Sequence, residues 1–336
     1  MLFRSTLIGG VAQLSVQLPS LKRVGFRFGL DFRWKDEGVR EVLRLMWPSL
    51  IAAGGTQINV LLNAIFASFT HGKESAAAWL GNAQRLQQLP LGLFGVAVAT
   101  VTLPMLSALA SEGITPAFRA ALAKGLRLVL FLTLPCAIGL SLLAHPILSL
   151  IFEHGRFTAY DVRQTAAPLQ AYAFGLVFYA GIKVIQPAFY TIGKRFIPMS
   201  VSLAMIALTA AANAFTVFGL GWDHTALAWA TAIGLAFNFS TLYLCMRRFA
   251  GRLETRSLIT LLARNAIALA ALVAICVGAN CTILTGWADM GLPRKAISLL
   301  ATIALGAIAY FALARAMRIE ESREFLSLIA RRFARK

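Results

Sequence analysis

The chain has 336 residues, 58% of them hydrophobic and only 14% charged, with a mean hydropathy of +0.72. A soluble domain carries about a quarter charged residues and avoids exposing large apolar patches, so a water-soluble globular fold is excluded. The formal net charge of +18 would suit nucleic acid if it gathered in one patch, and its placement along the chain shows that it does not.

The first apolar run, about 5–20, is short and interrupted by Gln13, Ser15 and Gln17. It lacks the basic start and small-x-small site of a secretory leader. It reads as a helix that belongs inside a larger bundle, in a chain that begins mid-protein. A basic linker follows over 21–44, where Phe26, Phe28, Phe32 and Trp34 interleave with charges and suit the lipid headgroup layer. Eight apolar runs then fall at about 45–69, 76–110, 128–152, 164–192, 196–220, 225–246, 265–285 and 297–317. Runs of roughly 18 or more apolar residues read as membrane spans. None alternates with period two, which excludes a barrel. The expected fold is therefore all-α: a polytopic helical bundle of about nine spans, with 45–317 as one compact membrane domain. Beyond it, Phe325, Leu326, Ile329 and Phe333 give 318–336 the pattern of an amphipathic interfacial tail.

The basic residues occupy alternate loops. One side collects 24 of the 32 Lys and Arg and the other five, leaving Arg4, Arg85 and Lys183. This asymmetry predicts that the 21–44 linker and the C-terminus are cytoplasmic, and it removes nucleic acid as a partner.

Ionisable groups inside a span cost about 2.5–3.5 kcal/mol on insertion scales, so each needs a reason. Arg85 lies in an otherwise uncharged run of apolar sequence beside Asn82, Gln84, Gln87 and Gln88. A guanidinium in a polar cavity is a bidentate receptor for phosphate; a snorkelling or paired arginine is the plainer reading. Lys183 is the second cation, one turn before Pro187, whose missing N–H frees a carbonyl that could receive an ammonium; a structural lysine is equally consistent. Pro90, Gly92 and Gly95 make the following segment thin and bendable. In the loop FEHGRFTAYDV (152–162), Gly155 suits a positive-φ turn, and Thr158 with Asp161 forms a variant capping box for a new helix. Neither the four histidines (71, 145, 154, 224) nor the cysteines (Cys136, Cys245, Cys276, Cys281) have metal-ligand spacing, and no hydrolase, P-loop or redox motif occurs. No enzyme activity, metal or cofactor is expected.

Four segments resemble one family. The run QRLQQLPLGLFGVAVATVTLP (84–104) is similar to the signature helix of the MurJ/MviN lipid II flippases. The 152–162 loop looks like their F-x-x-G-x-F-T-x-x-D motif. KVIQPAFY (183–190) and GGVAQLSVQLP (9–19) resemble two further segments, in the right order. The resemblance implies a fourteen-helix, two-lobed exporter of the MATE-like superfamily, of which this chain supplies helices six to fourteen: the whole second lobe and residues 1–20 as one helix of the first. It implies movement of a polyprenyl-pyrophosphate-linked saccharide-peptide, lipid II, from the inner to the outer leaflet of the bacterial cytoplasmic membrane by alternating access. Arg85 would engage the pyrophosphate with Gln84 and Gln88 beside it, and Lys183 and Asn63 complete the expected substrate residues. The runs 265–285 and 297–317 would form a groove for the polyprenyl tail. Where some relatives place sodium-binding carboxylates, this sequence offers Asn63 and Asn213, which speaks against sodium coupling. A first lobe, or a partner supplying it, is expected to complete the cavity. Two other functions fit the same sequence: export of another polyprenyl-linked saccharide, and a non-transporting scaffold of the cell-wall machinery.

Overall fold

The computed structural model describes residues 10–13, 15–19, 23, 36–70, 75–111, 113–251 and 255–323. Most of the 21–44 linker and the interfacial tail beyond Arg323 lie outside them. Two compact units divide the chain, Met1–Trp47 and Pro48–Lys336. In the first, residues 10–13 and 15–19 are helical, and the Ser15 hydroxyl donates back to the Val11 carbonyl (2.8 Å). The Asp36 carboxylate accepts the Gly38 N–H (2.8 Å), which satisfies one free donor at the start of helix α1 (Glu37–Ser68).

The second unit is helical throughout its described elements. Helix α2 (Ala76–Pro90) passes through a π-helical turn (Leu91–Val96) into α3 (Ala97–Ala110). Then come α4 (Pro116–Leu142), α5 (Ala144–Phe152), α6 (Ala159–Thr191) and α7 (Phe196–Ala214), which ends in a second π turn (Phe215–Gly219). Helices α8 (His224–Ala250), α9 (Thr255–Cys281) and α10 (Leu292–Ala316) complete the order. Among the described residues seven helical stretches are long and apolar enough to cross a membrane, and no strand occurs. The protein is a polytopic all-α membrane bundle. The expected spans at 5–20 and 45–69 are described only in part, the latter as the apolar helix Gln57–Ser68.

One expected span is redrawn. The run 128–152 is two helices, because Pro146 has no N–H to give the Leu142 carbonyl and Leu143 leaves helical geometry (φ −102°, ψ 18°). At its other end α4 begins at Pro116, where Thr115 accepts the Phe118 N–H (3.3 Å) and proline occupies a first-turn position that needs no donor. Arg119, Lys124 and Arg127 are carried within the helix, since charge ends an apolar run without ending a helix.

Helix α6 is the central post. Two-thirds of its most apolar window (67%) is buried within the protein, against 39% or less for every other span. It packs against α2, α3, α4, α5 and α8, burying Leu169, Leu176, Ile185 and Phe189 completely. In lipid this close packing works through dispersion and hydrogen bonds, because the tails are as apolar as the side chains.

Internal prolines on two helices shape the bundle. Pro135 leaves the Phe131 carbonyl without its helical donor, and the Tyr310 hydroxyl from α10 supplies one (2.7 Å). Pro168 does the same to Gln164, whose carbonyl lies 2.9 Å from the His224 Nε2 of α8. Each proline thus turns a lost backbone bond into a link between helices. After α10, Arg318 adopts a left-handed turn (φ 55°), and the chain folds back so that the buried Glu321 meets the Arg127 guanidinium of α4 at 2.8 Å.

Candidate functional site

Helix α6 carries Tyr172, Tyr179, Lys183, Gln186 and Tyr190 at intervals of seven, four, three and four residues, which places them on one face. Facing that stripe are Gln84 and Gln87 of α2, Asn59 of α1, Ser202 and Thr209 of α7, and Thr231 and Asn238 of α8. Together they line a cavity of about 380 Å³. It extends along α6 from Tyr172 to Tyr190, roughly 27 Å at 1.5 Å per residue.

Among the described residues, Lys183 is the one charged residue in this lining, and no carboxylate joins it. Its ammonium stands 5.0 Å from the centroid of the Tyr179 ring, one turn earlier on the helix. The ring face attracts the cation by about 0.5–2 kcal/mol without neutralising it. An anionic oxygen about 4 Å from that ammonium would gain roughly 4 kcal/mol at an effective dielectric of 20, before desolvation. The surrounding amides are held in place: Gln87 Nε2 donates to the Tyr172 carbonyl (2.7 Å) and Gln186 Nε2 to the Tyr190 hydroxyl (2.8 Å). The chamber is therefore an uncompensated positive site among the described residues, lined by fixed amide and hydroxyl groups and suited to a polar anion.

The model of the family described as "Lipid II flippase MurJ" matches residues 1–329. The chain belongs to the MurJ lipid II flippase family. A "Probable lipid II flippase MurJ" of Vibrio cholerae is 33% identical over 306 residues, which is 91% of this chain and 57% of that one. The chain spans about half the length of the curated relatives it matches. Among solved structures, "Lipid II flippase MurJ, inward closed conformation" matches with a TM-score of 0.64 at 21% identity, covering 91% of this chain and 60% of that chain. A MATE transporter crystallised in complex with MaD3S matches with a TM-score of 0.51 at 16% identity, covering 87% and 69%. At those identities the structures speak for the fold, and the fold is the MATE-like helical bundle that the resemblance implied.

Within this MurJ-family bundle the residues singled out in the sequence separate into three groups. Gln84, Lys183 and Pro187 meet in the chamber. Arg85 and Gln88 are exposed on α2 and do not line the chamber, and Arg85 has no hydrogen bond or ion pair among the described residues. Asn63 sits one layer behind the chamber, 6% exposed. Its Nδ2 donates to Thr231 Oγ1 (2.9 Å) and Asn59 Oδ1 (3.3 Å), and its Oδ1 accepts from Asn213 Nδ2 (2.8 Å). The network joins α1, α7 and α8 and holds Asn59 at the chamber wall.

The residues expected to shape the backbone are distributed along the bundle. Pro90 precedes the π turn, Gly92 faces open surface, and Gly95 packs on Ala180 of α6. Gly155 takes φ +64°, and the Asp161 carboxylate accepts the Thr158 N–H and hydroxyl, both at 2.7 Å. The other Asp161 oxygen accepts the Trp79 indole N–H (2.9 Å), tying the start of α6 to α2. Tyr172, Tyr179, Gln186 and Tyr190 were missed as a set, although their helical spacing within 159–191 is readable.

Proposed function

We propose that the chain holds the substrate in a lipid II flippase, moving the lipid-linked peptidoglycan precursor from the inner to the outer leaflet of a bacterial cytoplasmic membrane. The observation that carries this reading is the α6 chamber: an unneutralised Lys183 among amides and hydroxyls, enclosed by membrane spans of a MurJ-family chain. Lys183 binds a pyrophosphate oxygen through its charge, and Gln84 and Gln186 offer amide donors to the same group or to the sugar. Arg85 and Gln88, on the outer face of α2, form a second anchor that another membrane segment would enclose. The positive-inside asymmetry of the sequence supports a cytoplasmic C-terminus.

Transport of this kind breaks no bond. It needs a site reached from one leaflet and then the other, by rocking of one helical half against a second. The relatives' greater length is consistent with such a second half. Family membership favours lipid II over other polyprenyl-linked cargoes.

The reading is tested by joining this chain to the first half of the Vibrio cholerae relative and expressing the hybrid in cells depleted of their own flippase. Outer-leaflet lipid II, measured by its accessibility to an external probe, is expected to return, and to be lost with Lys183→Ala or Arg85→Ala at equal membrane abundance. Return of the signal with both substitutions present would sink the assigned roles; no return from an inserted, folded hybrid would sink the cargo.

A further inference from the structure

Several polar groups around the chamber are already engaged within the protein. Gln87 donates to the Tyr172 carbonyl and Gln186 to the Tyr190 hydroxyl, Asn59 accepts from Asn63, and the Thr231 hydroxyl donates to the Leu227 carbonyl (3.0 Å). Asn238 of α8 is different. It lines the same chamber and is only 9% exposed, yet its Oδ1 is buried with no hydrogen-bond partner among the described residues. A buried amide oxygen left unpaired lowers the stability of the fold, so its reason has to be sought outside folding.

Asn238 also sits at the depth of the chamber's cation. Helices α6 and α8 run in the same direction and pack closely: a Cβ on Gly175 would stand 3.2 Å from the Ala232 Cα, and one on Gly181 2.5 Å from the Phe239 ring. In that register Asn238 is level with residues 180–181 of α6. Lys183 is then about 4 Å away along the axis, at 1.5 Å per residue. The two groups ask for opposite things of one ligand. The ammonium takes an anionic oxygen. The carbonyl can only accept, so a phosphate oxygen cannot satisfy it and the ligand has to bring an N–H or O–H. A glycosyl pyrophosphate brings one, because the sugar carbon next to the phosphate-bearing carbon carries a hydroxyl or an acylated amine.

We propose that Asn238 is a specificity-determining residue, its carbonyl accepting the hydroxyl or acetamido N–H of a sugar while Lys183 holds the adjoining pyrophosphate. This rests on the proposed function for the presence of a pyrophosphate at Lys183. The chamber then separates a sugar-bearing pyrophosphate lipid from the bare pyrophosphate lipid, because binding the bare lipid leaves the carbonyl unpaired.

The test uses the purified full chain in nanodiscs and two probes, polyprenyl pyrophosphate and polyprenyl-pyrophosphoryl-N-acetylglucosamine, with Asn238→Leu and Lys183→Ala as variants. Asn238→Leu replaces an unpaired buried group by an apolar one, so it is expected to be at least as stable as the parent in unfolding. A loss of stability would show the carbonyl to be engaged within the protein and overturn the proposal. The sugar-bearing lipid should bind Asn238→Leu roughly tenfold more weakly than the parent, and the bare pyrophosphate lipid no more weakly. Equal weakening of both probes would make the amide a phosphate donor, and no change in either would leave the carbonyl to water; each overturns the proposal. Lys183→Ala is expected to weaken both probes. If it does and Asn238→Leu has no effect, the head-group reading stands and the sugar contact falls. If Lys183→Ala leaves both probes unchanged while Asn238→Leu still separates them, the sugar contact stands and the role of Lys183 falls.

Discussion

Replacing Tyr310 by Phe removes a single hydroxyl from a fully buried side chain. That hydroxyl is the donor to the Phe131 carbonyl, which Pro135 has deprived of its normal helical partner. The substitution leaves a buried carbonyl unsatisfied, at about 1–3 kcal/mol. Interhelical hydrogen bonds in membrane proteins average about 0.6 kcal/mol and reach about 1.7, so a loss of about 1–2 kcal/mol is expected. This is a shift of roughly five- to thirtyfold in the unfolding equilibrium. The proline supplies a control. In a Pro135→Ala background the new amide N–H restores the bond to Phe131, and Tyr310→Phe should then cost about 1 kcal/mol less than in the native sequence. Reversible unfolding in mixed micelles, followed by tryptophan fluorescence, gives all four stabilities. Additive losses, agreeing within about 0.3 kcal/mol, would refute the argument that the tyrosine serves the proline's carbonyl.

The same reasoning extends to three other contacts. His224→Ala strips the partner from the Gln164 carbonyl freed by Pro168 and removes the ring 5.0 Å from Trp79; a loss of about 1–3 kcal/mol is expected in the same unfolding measurement, with partial recovery in His224→Gln. Asn213→Ala takes the donor from Asn63 and should cost about 0.6–1.7 kcal/mol, with no gain or loss of sodium dependence in stability. Glu321→Ala breaks the 2.8 Å pair with Arg127, and limited trypsin digestion should then cut at Arg318 or Arg323 faster than in the parent; an unchanged cleavage rate would show that the pair does not hold this segment.

Much of the bundle is legible in the chain because long apolar runs have few uses outside a membrane. The edges of the spans are less so. Nothing in the hydropathy of 128–152 marks the break at Leu143; it needs the local fact that Pro146 cannot serve Leu142. Lys183 and Gln84 stand out as polar residues in apolar sequence, and they meet in one chamber. The tyrosines beside them do not stand out, since tyrosine is at home in a span. Arg85 and Gln84 are adjacent in sequence but turned by about 100° from one another on the helix, and Gln84 alone of the two lines the chamber. Which of the two meets the chamber depends on how α2 packs against α6, a tertiary fact. Asn63 is similar: its spacing marks it as polar within a span, whereas its partners Asn213 and Thr231 come from helices more than a hundred residues away.

The most direct test of the central claim is saturable binding of radiolabelled lipid II to the purified chain in nanodiscs, with Lys183 as the variable. A charged hydrogen bond is worth about 1.5–3 kcal/mol, so Lys183→Ala should weaken binding by roughly 10- to 150-fold, and Lys183→Arg, which keeps the charge, should retain most of it. Binding indifferent to the loss of Lys183, or no saturable binding to a correctly folded chain, would contradict the account.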